Sequence, residues 1–105
     1  MNRDMRRLLG TWRSDPSDLP GEECYGQTTL KFGADGTLLY ISHEDDHDDV
    51  IRLTFQVDQA GIITTNQPSR PEIQETTYEF TADGKLVLVF AGQKSTYVRV
   101  SHEAA

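Results

Sequence analysis

The sequence predicts an all-β protein, a single antiparallel up-and-down barrel of about eight short strands with a short N-terminal helical turn. Two near copies of one pattern carry this prediction, at residues 32–38 and 80–86: an aromatic residue, two spacers, Asp-Gly, a spacer and Leu. An Asp-Gly pair between β-rich runs favours a hairpin, because the turn needs positive φ angles that Asp and Gly tolerate best. In residues 50–57, apolar and polar side chains alternate, which indicates a strand with one buried face.

The other elements follow from turn residues and apolar runs. Residues 2–8 form the helical turn with Asn2 as its cap, and Pro16 and Pro20 keep residues 14–21 free of regular structure. Residues 66–71 contain two prolines and form a loop. Short sequential strands favour closure into a barrel, because closure leaves no exposed strand edge. The predicted strands are residues 9–13, 28–32, 37–43, 50–57, 62–65, 73–80, 85–90 and 95–100.

Size and charge limit the classes of protein and partner. With 105 residues, the chain has room for one domain, residues 1–105. Its formal net charge of −7 disfavours binding to nucleic acid and to anionic membrane surfaces. No apolar run is long enough for a signal peptide, and Cys24 has no second cysteine to pair with, so we expect a cytoplasmic protein. A secreted protein whose signal peptide had been removed would show the same residues.

Both ends of the chain carry a family resemblance. Residues 9–12, Leu-Gly-Thr-Trp, resemble the Gly-x-Trp signature of lipocalins and related calycin-type barrels, and Arg99 stands where that group places a basic residue over the tryptophan. The Gln-Pro-Ser-x-Pro loop at residues 67–71 and the closing Tyr-Val-Arg at residues 97–99 are similar to small bacterial lipocalin-like proteins. The resemblance implies a structural pair, Trp12 and Arg99, in which cation–π stacking plugs one end of the barrel.

Aromatic side chains limit the space inside the predicted barrel. Because many rings point inward, we expect a shallow pocket at the open mouth rather than a deep one. Tyr40 and Tyr78 are either buried rings with hydroxyls near the rim or ligand contacts, and residues 67–71 are either a rigid turn or a binding loop in which Arg70 is the donor. The inward rings are Trp12, Phe32, Tyr40, Phe55, Tyr78, Phe80 and Phe90, and the candidate ligand contacts are Tyr40, Phe55, Arg70, Tyr78 and Tyr97.

Residues 43–49 contain two patterns associated with metal binding. Residues 43–47 match His-Glu-x-x-His, which binds zinc when a helix places both histidines on one face. The flanking runs here are β-rich, and residues four apart in a strand lie roughly 13 Å apart, so we expect no zinc site. The carboxylates lack the spacing of a calcium loop, so we expect a solvated, metal-free tip, with calcium binding as the alternative. The five carboxylates are Glu44, Asp45, Asp46, Asp48 and Asp49.

No pattern in the sequence favours catalysis. Cys24 stands beside Glu22 and Glu23, which disfavour a reactive thiolate. Ser69 and Ser95 lack the context of a nucleophile elbow, and no glycine-rich phosphate loop follows a strand. An enzyme therefore ranks below non-enzymatic functions, and we expect no catalytic residue, no metal and no cofactor.

Two functions of different classes remain. The first is a non-enzymatic module that binds a small apolar ligand in a shallow apolar and aromatic pocket at the barrel mouth. The alternative is an acidic protein-interaction module, of the inhibitor or immunity type, that docks a basic protein partner through residues 44–49. Salt separates them, because docking through carboxylates weakens with ionic strength whereas binding in a pocket hardly changes.

Overall fold

The predicted strands close into one antiparallel barrel. The computed structural model describes residues 3–58, 61–67 and 71–101. Each strand pairs with the next along the chain, and β8 pairs back with β1, which gives an up-and-down barrel compatible with a calycin-like fold. The strands are β1 (Gly10–Ser14), β2 (Gln27–Phe32), β3 (Thr37–His43), β4 (Asp48–Val57), β5 (Ile62–Asn66), β6 (Ile73–Phe80), β7 (Leu86–Phe90) and β8 (Gln93–Ser101).

The two Asp-Gly turns share one geometry, and it differs from the turn type that the Asp-Gly pattern predicts. Each closes with a backbone hydrogen bond between residues four apart, as from the Gly33 N–H to the Thr37 oxygen at 2.8 Å. Only the glycines, Gly36 and Gly84, have positive φ angles, of 84° and 85°, and the preceding aspartates do not. A single left-handed residue is typical of a longer hairpin loop with a bulge, so the expectation that both residues adopt positive φ is wrong.

A short helix, α1 (Arg3–Leu8), confirms the predicted N-terminal helical turn. It packs at the end of the barrel where β1 begins, with Leu8 fully buried and Met5 packed against the core. No helix in residues 3–58, 61–67 and 71–101 is long and apolar enough to cross a membrane.

A second helix, α2 (Leu19–Tyr25), lies where we predicted no regular structure. Asp18 caps it: one carboxylate oxygen accepts from the Gly21 N–H at 3.3 Å, and the other accepts from the Thr96 N–H at 2.8 Å. The cap therefore starts the helix and ties it to β8. Pro20 lies in the first turn, where its missing N–H costs no hydrogen bond, so it begins the helix instead of blocking it.

The core follows the predicted alternation of side chains. In β4, Phe55 is buried and Leu53 and Val57 are half-buried, while the neighbouring Arg52 is exposed. Ile51 also points inward, but it is 39 % exposed because it lies close to the end of the barrel. The buried core consists of Leu8, Trp12, Leu30, Phe32, Leu38, Phe55, Ile63, Tyr78, Leu86 and Tyr97.

The rings predicted to face inward are buried to different degrees along the barrel axis. Trp12, Phe32, Phe55 and Tyr78 are buried, whereas Phe90 is 37 % exposed at the far end of β7. Tyr40 and Phe80 are half-buried against the core. The barrel is therefore filled toward α1 and less filled toward its other end.

At the filled end, side chains bond the last carbonyls of α1. Trp12 is 1 % exposed, and its Nε1–H donates to the Leu8 oxygen at 2.9 Å. The guanidinium of Arg99 lies 4.0 Å from the centroid of the Trp12 ring and donates to the oxygens of Leu9, at 2.5 Å, and Arg7. These carbonyls have no partner within the helix, so the two side chains complete its C-terminus. The name closed end is used below for Arg7, Leu8, Trp12, Phe80 and Arg99.

Phe80 completes the closed end. Its ring centroid lies 6.3 Å from that of Trp12, and the guanidinium carbon of Arg7 lies 3.9 Å above the Phe80 ring. The order across this end of the barrel is therefore Arg7, Phe80, Trp12 and Arg99, with the two rings adjacent and one cation on each ring. Cation–π attraction is stronger at Arg99, which is half-buried, than at Arg7, which is exposed.

A buried ion pair fixes the start of the β1–α2 connection. Asp15 is 5 % exposed and accepts from Lys85 Nζ at 2.7 Å. Its other oxygen accepts from the N–H and the hydroxyl of Ser17, at 2.9 and 2.8 Å. The hydrogen bond from Lys85, followed by those from Ser17, lowers the pKa of Asp15 from 3.8 to about 2.

We expect Arg99→Ala to lower the free energy of unfolding by about 2–3 kcal/mol, because it removes a cation–π contact and the charge-assisted hydrogen bonds that complete α1. Chemical denaturation measures this change. Arg52→Ala is the matched control, since Arg52 is an exposed residue on the outer face of β4. Equal stability of the two variants would show that the stack does not hold the closed end.

We expect Asp15→Asn to lower the free energy of unfolding at neutral pH by about 1–3 kcal/mol, because Lys85 loses a charged partner. The folded-state pKa is depressed, so the contribution of Asp15 is fully present above 3.8 and is lost as the pH falls through about 2. Denaturation of both proteins across this range measures the difference, with the exposed Asp45→Asn as control. A difference that persisted unchanged below the folded pKa would contradict the ion-pair account.

Candidate functional site

A cavity occupies the barrel interior at the end opposite α1. Its volume is about 320 Å³, and it is lined by residues from β2 to β8 and from α2. This volume lies at the small end of the range of ligand pockets, about 300–1,000 Å³. The apolar part of the wall is formed by Leu30, Phe32, Leu38, Leu53, Ile63 and Leu88.

The cavity opens to solvent at its mouth, which is formed by Ile51, Glu72 and Phe90. All three line the cavity and are exposed. Hydrogen bonds hold the rim at Glu72, whose N–H donates to Asn66 Oδ1 at 3.0 Å and whose Oε1 accepts from Gln74 Nε2 at 2.7 Å. Glu72 is the one charged side chain among the described residues that line the cavity.

Four hydroxyl groups line the side of the cavity where α2 packs against β8. They belong to Tyr25, Tyr40, Ser95 and Tyr97 and are called the hydroxyl wall below. Tyr97 is 3 % exposed and Ser95 is 6 % exposed. Within the described part of the chain, the hydroxyls of Tyr40, Ser95 and Tyr97 make no hydrogen bond to a protein group. The wall therefore presents free hydrogen-bonding capacity to the cavity.

Burial disfavours ionisation of two of these phenols. It raises the pKa of Tyr40 to about 12, and the neighbouring phenols of Tyr97 and Tyr25 and the thiol of Cys24 add to the effect. Burial also raises the pKa of Tyr25, together with the adjacent Cys24. At neutral pH these groups are uncharged, as tyrosines ordinarily are, and each can both donate and accept a hydrogen bond.

The structure brings together some of the ligand contacts predicted from the sequence. Tyr40 and Tyr97 line the cavity. Phe55 packs edge-on against Phe32 with centroids 5.1 Å apart, and Tyr78 is buried beside Phe80; neither lies in the cavity wall. Arg70 lies outside the described residues.

Two members of the hydroxyl wall were not predicted. Ser95 lies two residues before Tyr97 in β8, so the alternation of a strand places both side chains on the inner face and could have identified it. Tyr25 is the last residue of α2. It could not be placed without that helix, because the residues before it resemble a turn.

Two histidines in the β3–β4 hairpin pair with separate carboxylates. His43 Nδ1 lies 2.8 Å from Asp48, which belongs to β4 and not to the turn where we placed it. His47 lies 2.6 Å from Asp46 and 3.4 Å from Asp49, and these carboxylates raise its pKa. Among the described residues, no three His, Cys, Asp or Glu side chains are grouped so as to hold a metal ion.

His43 also joins a chain of polar side chains on the outer face of the sheet. Its Nε2 lies 2.7 Å from the hydroxyl of Thr29, so Thr29, His43 and Asp48 are linked in the order found in hydrolytic triads. The backbone beside Thr29 is paired with β1 and β3, and the N–H of Thr28 is donated to Ser14 Oγ at 2.7 Å. Since these backbone groups are engaged, they are not available to bind an oxyanion, and the arrangement is described as a cross-strand polar contact.

Comparisons with protein-family models, with curated proteins and with solved structures found no match to this chain. The cavity, its mouth and the hydroxyl wall are therefore the features that bear on function.

We expect the phenol of Tyr40 to ionise at about pH 12, two units above the ordinary value of 10.0. The ionised form is disfavoured because the group is buried and faces other phenols. Absorbance of the phenolate band, measured during titration of the parent and of Tyr40→Phe, isolates this step as the difference between the two curves. A difference with its midpoint near the ordinary tyrosine value would mean that Tyr40 is solvated and that the wall is not shielded from water.

Proposed function

We propose that this chain is a lipocalin-like barrel that binds a small, largely apolar molecule in its interior. The observation that carries the proposal is a cavity of about 320 Å³ with apolar walls, open at one end of a barrel whose other end is filled. Apolar walls stabilise an apolar ligand because they remove its surface from water.

The volume sets the size of the ligand. Each molecule of liquid water occupies about 30 Å³, so the cavity corresponds to about ten waters, or to a ligand of about that many non-hydrogen atoms within the barrel. A larger ligand would extend through the mouth past Ile51 and Phe90, whose exposed apolar surfaces would then be covered. The cavity volume therefore favours a small aromatic or alicyclic molecule over a long-chain lipid as the ligand.

The arrangement of the ends favours reversible binding from one side. The closed end is packed with rings and guanidinium groups and provides no path into the cavity. Entry and exit then occur at the mouth, between the start of β4 and the turn that joins β7 and β8. Preformed walls also reduce the ordering that a ligand must impose on binding, which favours affinity.

We expect the uncharged fluorescent probe N-phenyl-1-naphthylamine to bind with a Kd on the order of 10 µM, since a ligand of its size gains about 0.3–0.5 kcal/mol per atom. Its emission increases when it leaves water. Leu53→Trp places an indole in the cavity and should weaken binding by at least about tenfold, because the volume available to the probe is removed.

Arg52→Trp is the matched control, because residue 52 precedes Leu53 in β4 and faces solvent. Circular dichroism of both variants establishes that the barrel has formed. Equal probe binding by the two tryptophan variants would place the probe on the outer surface, and absence of binding to the parent would remove the proposed function.

The alternative function is docking of a basic protein partner through residues 44–49. The observation in its favour is exposure: Asp46 and Asp49 keep 87 % and 63 % of their side-chain surface accessible at the tip of the β3–β4 hairpin. Such docking would weaken steeply as ionic strength rises, because exposed charges are screened by salt. Probe binding in the cavity would be nearly independent of salt.

A further inference from the structure

The hydroxyl wall groups four hydroxyls on one side of a largely apolar cavity, whose other polar lining residues are Thr65, Gln67, Glu72, Gln74 and Thr76. Tyr97 and Ser95 are more than nine-tenths buried, and within the described residues their hydroxyls have no protein partner. Both project from β8, two residues apart on its inner face. Tyr40 adds a third hydroxyl from β3, near the phenols of Tyr97 and Tyr25, and Tyr25 adds a fourth from α2.

A buried hydroxyl without a partner is unfavourable, because it has lost its hydrogen bonds to water. The packed part of the core avoids this cost, as at Trp12, whose N–H is bonded to the Leu8 oxygen. The hydroxyls of the wall avoid it only when something in the cavity bonds to them. No side-chain oxygen among the described residues is both fully buried and unbonded, so these hydroxyls reach the open space of the cavity, where water or a ligand with hydrogen-bonding atoms bonds to them.

Charge limits what such a ligand can be. The phenols of the wall are neutral donors at physiological pH, as ordinary tyrosines are, and contribute no negative charge. No described lining residue is a cation, and the carboxylate of Glu72 stands at the mouth. A carboxylate ligand would thus be transferred into an apolar site without a counter-ion and past a like charge, which is strongly unfavourable.

We propose that the hydroxyl wall selects uncharged ligands that carry an oxygen acceptor, such as a ketone, and that Tyr97 and Ser95 donate the hydrogen bonds that recognise it. The inference depends on the proposed function, because it names the class of ligand for the same cavity. An apolar body of the ligand then lies against Leu53, Ile63 and Leu88, with its oxygen toward β8.

Calorimetric titration with three ligands of one shape tests this selection: indane, 1-indanone and indane-1-carboxylate. We expect Tyr97→Phe to lower the affinity for 1-indanone by about tenfold, which is the effect of losing one buried hydrogen bond, and to leave the affinity for indane unchanged. Ser95→Ala should also lower the affinity for 1-indanone, and it removes no hydrogen bond that the described residues make with one another. Indane-1-carboxylate should bind the parent at least about tenfold more weakly than 1-indanone.

Tyr78→Phe is the matched control, since it removes a tyrosine hydroxyl outside the cavity wall and should leave all three affinities unchanged. If the parent, Tyr97→Phe and Ser95→Ala all bind 1-indanone with the same affinity, the hydroxyls bond only to water and the proposed selection is overturned. Binding of indane would in that case still support the proposed function. Tight binding of indane-1-carboxylate would also overturn it. If neither indane nor 1-indanone binds the parent, the proposed function fails together with the inference.

Discussion

The stack of Arg99 on Trp12 is the contact on which the two different ends of this barrel depend. The residues are register partners on β8 and β1, the strands whose pairing closes the barrel. Arg99 and Trp12 also bond the carbonyls that end α1, so barrel closure, the helix and the ring stack are coupled through two side chains. A guanidinium group suits this position because one face stacks on the indole while its N–H groups reach carbonyl oxygens.

Filling one end leaves the other end as the place where function can reside. An eight-stranded barrel has space for its own side chains or for one small ligand. Here the inward side chains near α1 pack against one another, whereas those nearer the mouth, which include leucines, an isoleucine and tyrosines, leave the cavity between them. α2 covers one side of that end and brings Tyr25 to the cavity, so its capping by Asp18 shapes the site as well as the fold.

Local patterns predicted the fold well because strand alternation and turn chemistry act between near neighbours. The Asp-Gly repeats and the alternation around Phe55 indicated successive antiparallel strands. The contact between Trp12 and Arg99 was expected from the resemblance to lipocalins and not from a local pattern. The helix α2 was missed because Pro20 has opposite effects inside a helix and in its first turn, and the tertiary bond from Thr96 to Asp18 decides between them. A shallow pocket at the mouth was expected from the sequence, but its volume could not be predicted, since the volume depends on how far each ring lies along the barrel axis.

The proposed function requires a barrel that is filled at the Trp12–Arg99 end and accepts a ligand from the opposite end. Nuclear Overhauser effects between an uncharged aromatic ligand and labelled leucine, isoleucine and valine methyl groups test this arrangement. We expect contacts from the ligand to Leu38, Leu53 and Ile63, which line the cavity, and none to Leu8 or Leu86, which are fully buried away from it. Contacts to Leu8, or only to residues on the outer face of the sheet such as Val50, would contradict it.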